Sequence, residues 1–137
     1  MLDHLRAIAA FRDKLESGRF DAGHWVEPVD QADGSMVMGY FHMGADMLAF
    51  MSAAGPLMVK GFDWPSWIHA DGARVRDEIE TATQDELRQV IHALVRQERF
   101  VEGLLNSAYE DGTLLRITKR AGQLVDAAGV PQQGWVA

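Results

Sequence analysis

A chain of 137 residues, 47% of them apolar, is long enough to bury a core and too hydrophobic to stay disordered. Twenty acidic against 13 basic residues give a formal charge of -7, which disfavours phosphate backbones unless a local basic face offsets it. The absence of cysteine excludes disulfides, thiolate nucleophiles and cysteine-bound zinc, and is compatible with a reducing cytosol.

The opening Met1-Leu2-Asp3-His4-Leu5-Arg6 lacks a basic leader followed by an apolar run. The richest apolar window, Met43 to Val59, is interrupted by Asp46, two glycines and Pro56. The chain is therefore expected to be soluble and cytoplasmic, without a membrane span.

In chain order, Leu5, Ile8, Phe11 and Leu15 recur at helical spacing behind Asp3, a candidate N-cap, and Gly18 offers a stop. The spacing predicts one amphipathic first helix. Residues Gly23 to Asp30 and Ser35 to Met43 flank Asp33-Gly34, a strong hairpin signal. In the second arm both alternating faces are apolar, so a strand there is expected to be covered on each side. Pro28 implies an edge or a bend in the first arm.

Ala45 to Ala54 reads as a short helix burying Met47, Phe50, Met51 and Ala54, ended by Gly55-Pro56 in left-handed geometry. Leu57 to Lys60 is expected as a third strand or as plain extended chain, and Phe62 to Trp67 as an aromatic turn leading into a short helical piece. Thr83-Gln84-Asp85-Glu86 has the capping-box pattern, and Leu87, Val90, Ile91, Leu94 and Val95 follow as one stripe. Leu104, Leu105, Ala108 and Tyr109 predict a shorter helix ended near Asp111-Gly112. Leu114, Ile117, Ala121, Leu124 and Val125 outline a last one. The fold class expected is α+β, mainly helical, with five or six helices packed on a small antiparallel sheet of two or three strands. One domain over residues 1–130 and a ragged tail over 131–137 complete this reading, with Trp135 either docked or loose.

Three stretches carry a resemblance. They are Phe62-Asp63-Trp64-Pro65-Ser66-Trp67, then Arg96-Gln97-Glu98-Arg99-Phe100-Val101-Glu102-Gly103, then Glu110-Asp111-Gly112 ahead of Leu114 and Arg120. Together they resemble a family of small bacterial and phage proteins known as a domain of unknown function, with motifs F-D-W-x-x-W and R-x-[DE]-R-F-x-[DE]-G. The resemblance implies a bacterial or phage origin and a helix-rich mixed fold, and no activity. Leu104 stands where the pattern leads one to expect a small polar residue or histidine, which argues against acid–base chemistry there.

The residue chemistry offers a few constellations. Arg96, Arg99 and Glu102, three apart, would share one side of a helix, either as an anion-binding cleft or as an ion-pair network. Glu98 and Glu102, four apart, could divide acid and base roles only if burial separated their pKa values. Trp64 and Trp67 could anchor a core or stack a ligand, with Asp63 capping the helix that follows. Gly103 would allow close helix approach, and Gly112 a turn. Arg116, Lys119 and Arg120 form a basic patch open to nucleic acid, or a solvated face.

His4, His24, His42, His69 and His92 make no metal motif, although His24 and His42 could meet across the hairpin. No glycine-rich phosphate loop or nucleophile elbow occurs. No cofactor or metal is expected. The leading expectation is a non-catalytic binding or protein-interaction domain, its partner a second copy or another protein. The alternatives are a ligand-binding protein or enzyme using the Arg/Glu/Trp pocket, and nucleic-acid binding through the last helix.

Overall fold

The computed structural model describes residues 1–129; the segment from Val130, and Trp135 with it, lies outside the described residues. The first amphipathic stretch forms two helices rather than one, α1 (Leu2–Ala9) and α2 (Arg12–Ser17). The chain turns at Ala10-Phe11, which lets Phe11 meet Phe20 and Phe50 edge-on at centroid distances of 6.1 and 5.6 Å. Asp3 sits within the first turn paired with Arg6, and Met1 holds the cap position. Gly18 ends α2 in the left-handed region at φ 73°.

The hairpin forms as two nested antiparallel ladders, β1 (Gly23–Val26) with β4 (Tyr40–Met43) and β2 (Val29–Asp30) with β3 (Met36–Val37). At its tip Asp33 accepts hydrogen bonds from the Ser35 amide and hydroxyl. The two ladders are separated by Glu27-Pro28 on one arm and Met38-Gly39 on the other. A Cβ on Gly39 would lie 2.6 Å from the Val26 carbonyl oxygen, so the pinch requires glycine.

The expected double coverage of this arm fails. Phe41 is buried at its base, but Val29, Met36, Val37, Met38 and Tyr40 are all exposed, Met38 by 74%. A two-residue ladder projecting past the body has nothing on either face.

Helix α3 (Ala45–Ala54) begins beside Asp21, which accepts from the Ala45 amide, while Asp46 accepts from the Asp21 amide and pairs with Lys14. Gly55 does not end α3 in left-handed geometry. It stays right-handed at φ -49° and passes into a 3-10 turn, Gly55–Leu57, with Pro56 in its first turn. Leu57 to Lys60 is not a third strand, because its main-chain groups are taken by side chains of a helix. Arg88 donates to the Leu57 and Met58 carbonyls, and the Val59 amide donates to His92.

The aromatic turn leads into α4 (Trp64–Trp67), and α5 (Asp71–Asp77), unforeseen in the sequence, follows. After a 3-10 turn, Ile79–Thr81, the Thr83/Glu86 capping box opens α6 (Gln84–Gln97) with both reciprocal bonds in place. Helices α7 (Leu104–Glu110) and α8 (Thr113–Gly129) complete the described chain.

The core is one cluster in which α1 lies along α8 and α6 faces α3, α7 and α8. Leu5, Ile8, Phe50, Leu57, Ile79, Leu87, Ile91, Leu94, Leu105, Leu114 and Ile117 are fully enclosed. Each such side chain contributes about 1.5–3 kcal/mol on removal from water. The architecture is α+β and mainly helical, with antiparallel strands confined to the arm. Among the described residues no helix is long and apolar enough to cross a membrane.

Candidate functional site

The sequence between the 3-10 turn and α4 folds back over the end of α6. Two bonds donated by Arg88 and one accepted by His92 hold residues 57–59 there, and Phe62 stands edge-on to the His92 ring at 5.2 Å. Between this segment and α6 lies a cleft of about 580 Å³, lined by Met58, Lys60, Phe62, Trp64, His92, Arg96, Arg99 and Phe100 among others. Trp64 and Phe100 face one another across 6.1 Å, and Phe100 is 77% exposed. A second depression of about 400 Å³ lies beside it against Met51, Gly55 and Val95, so Arg96 and Arg99 stand between the two.

The cleft is cationic. Lys60, Arg96 and Arg99 line it, no carboxylate does, and none of the three forms an ion pair among the described residues. The carboxylates of the same motif are committed elsewhere, because α6 ends at Gln97 and the chain turns before Gly103. Glu98 accepts from the amides of Gly103 and Leu105 at 3.0 and 2.9 Å, satisfying donors at the start of α7. Glu102 accepts from the Phe41 amide at 3.2 Å, fastening the arm to the body. The motif therefore divides: its arginines line the cleft, and its acids hold main chain.

Gly103 is fixed by two demands. Its φ is 86°, and a Cβ would lie 2.4 Å from the Trp25 indole, which packs across it from β1. The close approach is made by the arm and not by a second helix.

His92 is buried and its pKa is lowered, first by desolvation and then by the charge of Arg96 one turn on. Its Nδ1 accepts the Val59 amide at 2.9 Å, which assigns the remaining proton to Nε2. His92 thus adds a neutral wall to the cleft.

Trp64 and Trp67 diverge although they lie three apart. Trp64 lines the cleft, whereas Trp67 packs edge-on to Phe62 at 5.4 Å and against Gly72 of α5, where a Cβ would come within 2.6 Å of the indole. Asp63 caps α4 through the Ser66 amide at 3.4 Å. Gly112, at φ 87°, turns the chain from α7 into α8 while Asp111 accepts from the Thr113 amide and hydroxyl.

The basic patch on α8 is largely engaged inside the fold. Arg116 grips Glu80 with two bonds of 2.6 Å and donates to the Arg76 and Asp77 carbonyls, pulling the Glu80 carboxyl down to about 2. Arg120 donates to the Ala82 carbonyl and to Gln123, and Lys119 is exposed. Two guanidinium groups thereby lock α8 to the segment ahead of α6.

His24 and His42 meet in register across β1 and β4 with ring centroids 5.3 Å apart. Among the described residues no group of three or more His, Asp or Glu side chains is placed to hold a metal ion. Lys60 and His92 were invisible as site members in the sequence. One belongs to a loop, and the other reads only as one of five histidines without a metal motif.

No curated protein and no solved structure matches the chain. A family profile does match, over residues 1–127, and so takes in the arm, the cleft and all but the last two described residues. The chain belongs to the family of unknown function (DUF6508).

Proposed function

We propose that this chain is a non-catalytic binding module of the bacterial cytoplasm, and that the cleft over the end of α6 receives an anionic group joined to a flat apolar one. The observation that carries this reading is the division of the motif. Arg96 and Arg99 reach the cleft without ion-pair partners among the described residues, while Glu98 and Glu102 are turned onto main-chain amides. Guanidinium groups freed from carboxylates supply forked donors for a carboxylate or phosphate, and the Trp64 and Phe100 rings offer apolar faces beside them.

The lining argues against catalysis. It contains no carboxylate, serine or threonine. Its histidine has Nδ1 occupied by a main-chain amide and its proton assigned to Nε2, an arrangement suited to donating a hydrogen bond rather than accepting a proton. Nucleic-acid binding through α8 has less support, because Arg116 and Arg120 are spent on Glu80 and on carbonyls.

Titration of the protein with benzoate and with phenyl phosphate, followed by calorimetry and tryptophan fluorescence, tests the reading. Binding that weakens in salt and falls at least about tenfold in Arg96→Ala and in Arg99→Ala is expected, since a hydrogen bond to a charged group is worth about 1.5–3 kcal/mol. Absence of binding by either compound up to about 10 mM, or binding indifferent to both substitutions, would overturn it.

A further inference from the structure

We infer that the cleft's macromolecular occupant is the arm of a second copy of this chain, exchanged reciprocally in a two-fold dimer. The inference rests on the cleft being an anion-binding site and names what fills it.

The first observation is charge complementarity. Between Arg19 and Lys60 the chain carries no lysine or arginine, although Asp21, Glu27, Asp30, Asp33 and Asp46 all fall there. Asp21 and Asp46 are used at the start of α3, and Asp33 in the turn at the tip. Glu27 and Asp30 are exposed and form no ion pair among the described residues. The arm is thus acidic and apolar, and the cleft cationic and aromatic. Each has what the other lacks.

The second observation is that exposed large apolar side chains gather on the arm and the cleft's rim, with Met1 and Leu48 the exceptions among the described residues. Val29, Met36, Val37 and Met38 are exposed on a ladder that the body covers on neither side, and Phe100 and Val101 at the rim are exposed too. Clustered apolar surface of this kind marks an interface, whereas single exposed apolar residues do not.

The third is placement. The arm's root lies on Glu102 and Gly103, a few residues from Arg99 and Phe100 in the cleft wall. With root and cleft adjacent, a two-fold axis beside them sets each arm over the other copy's cleft, and both contacts form together. The resulting interface is closed and does not propagate.

Charge reversal tests this in both directions. Sedimentation velocity should show a wild-type dimer that weakens as salt rises. Asp30→Arg, which sets an arginine against Arg99, and Arg99→Asp, which sets a carboxylate against Asp30, should each weaken dimerisation at least about tenfold. An equimolar mixture of the two variants restores both contacts and should re-form a mixed dimer. A wild-type monomer at about 200 µM in low salt, reversals that leave the dimer unchanged, or a mixture that stays monomeric would each overturn the proposal. Phenyl phosphate titration of Asp30→Arg separates the two readings. This variant keeps its arginines, so it should still bind the probe, and bound probe without any dimer in the wild type would sink the arm exchange alone.

Discussion

The helical body and the arm both carry apolar side chains and use them in opposite ways. In the body, Leu87, Ile91 and Leu94 on α6 and Leu114 and Ile117 on α8 are fully enclosed, and the stripe that carries them is the stripe that packs. In the arm, Val29 and Val37 face each other across the ladder and both remain about half exposed. Hydrophobicity alone therefore does not mark a core. A helix stripe can be covered by its own chain, but a two-stranded tip beyond the body has no second layer to meet, and its apolar residues are available to something else.

The sharpest way to break this contrast is to cut into each region. Ile117→Ala should cost about 2–5 kcal/mol in urea denaturation, because it empties a site with no exposure. Where the regions join, Gly103→Ala should cost about 1–3 kcal/mol and change the Trp25 emission, since the added carbon is strained at positive φ and collides with the indole.

The cleft responds to acid. The His92 pKa lies below its usual 6.5, so the neutral ring is favoured by folding. Its contribution is fully present above about 6.5, declines as pH falls, and is lost below the lower folded value. Denaturation midpoints of the wild type should therefore fall across that window more steeply than those of His92→Phe. Last, Met38→Ala should change monomer stability by less than about 0.5 kcal/mol, measured by the same denaturation at high dilution. A loss as large as that of Ile117→Ala would erase the distinction between arm and body.

The features legible in the sequence are those whose partners lie within a few residues. The Thr83/Glu86 box, the Asp33-Gly34 turn, the α6 stripe and the Gly112 break all emerged as read. The failures are long-range. Helix α5 carries Asp71-Gly72-Ala73-Arg74-Val75-Arg76-Asp77, with too few apolar residues to show a stripe, and it is anchored by Trp67 on Gly72 and by Val75 in the core. Glu98 and Glu102 look like helical neighbours, yet the helix ends before them and the backbone donors they serve come from α7 and β4. Half of the candidate site was legible for the same reason. Arg96, Arg99 and Trp64 belong to dense motifs, whereas Lys60 and His92 join the cleft only because the loop after α3 folds onto α6.

The bond from the Phe41 amide to Glu102 bears on how far any strand pairing can spread. Phe41 lies opposite Trp25, yet its N–H donates to the Glu102 carboxylate and not to β1. An incoming strand seeking that margin would have to evict the Glu102 side chain before making its first ladder bond. Glu102 therefore works as a stopper, leaving an otherwise sticky hairpin poorly suited to seeding ordered stacks along that border.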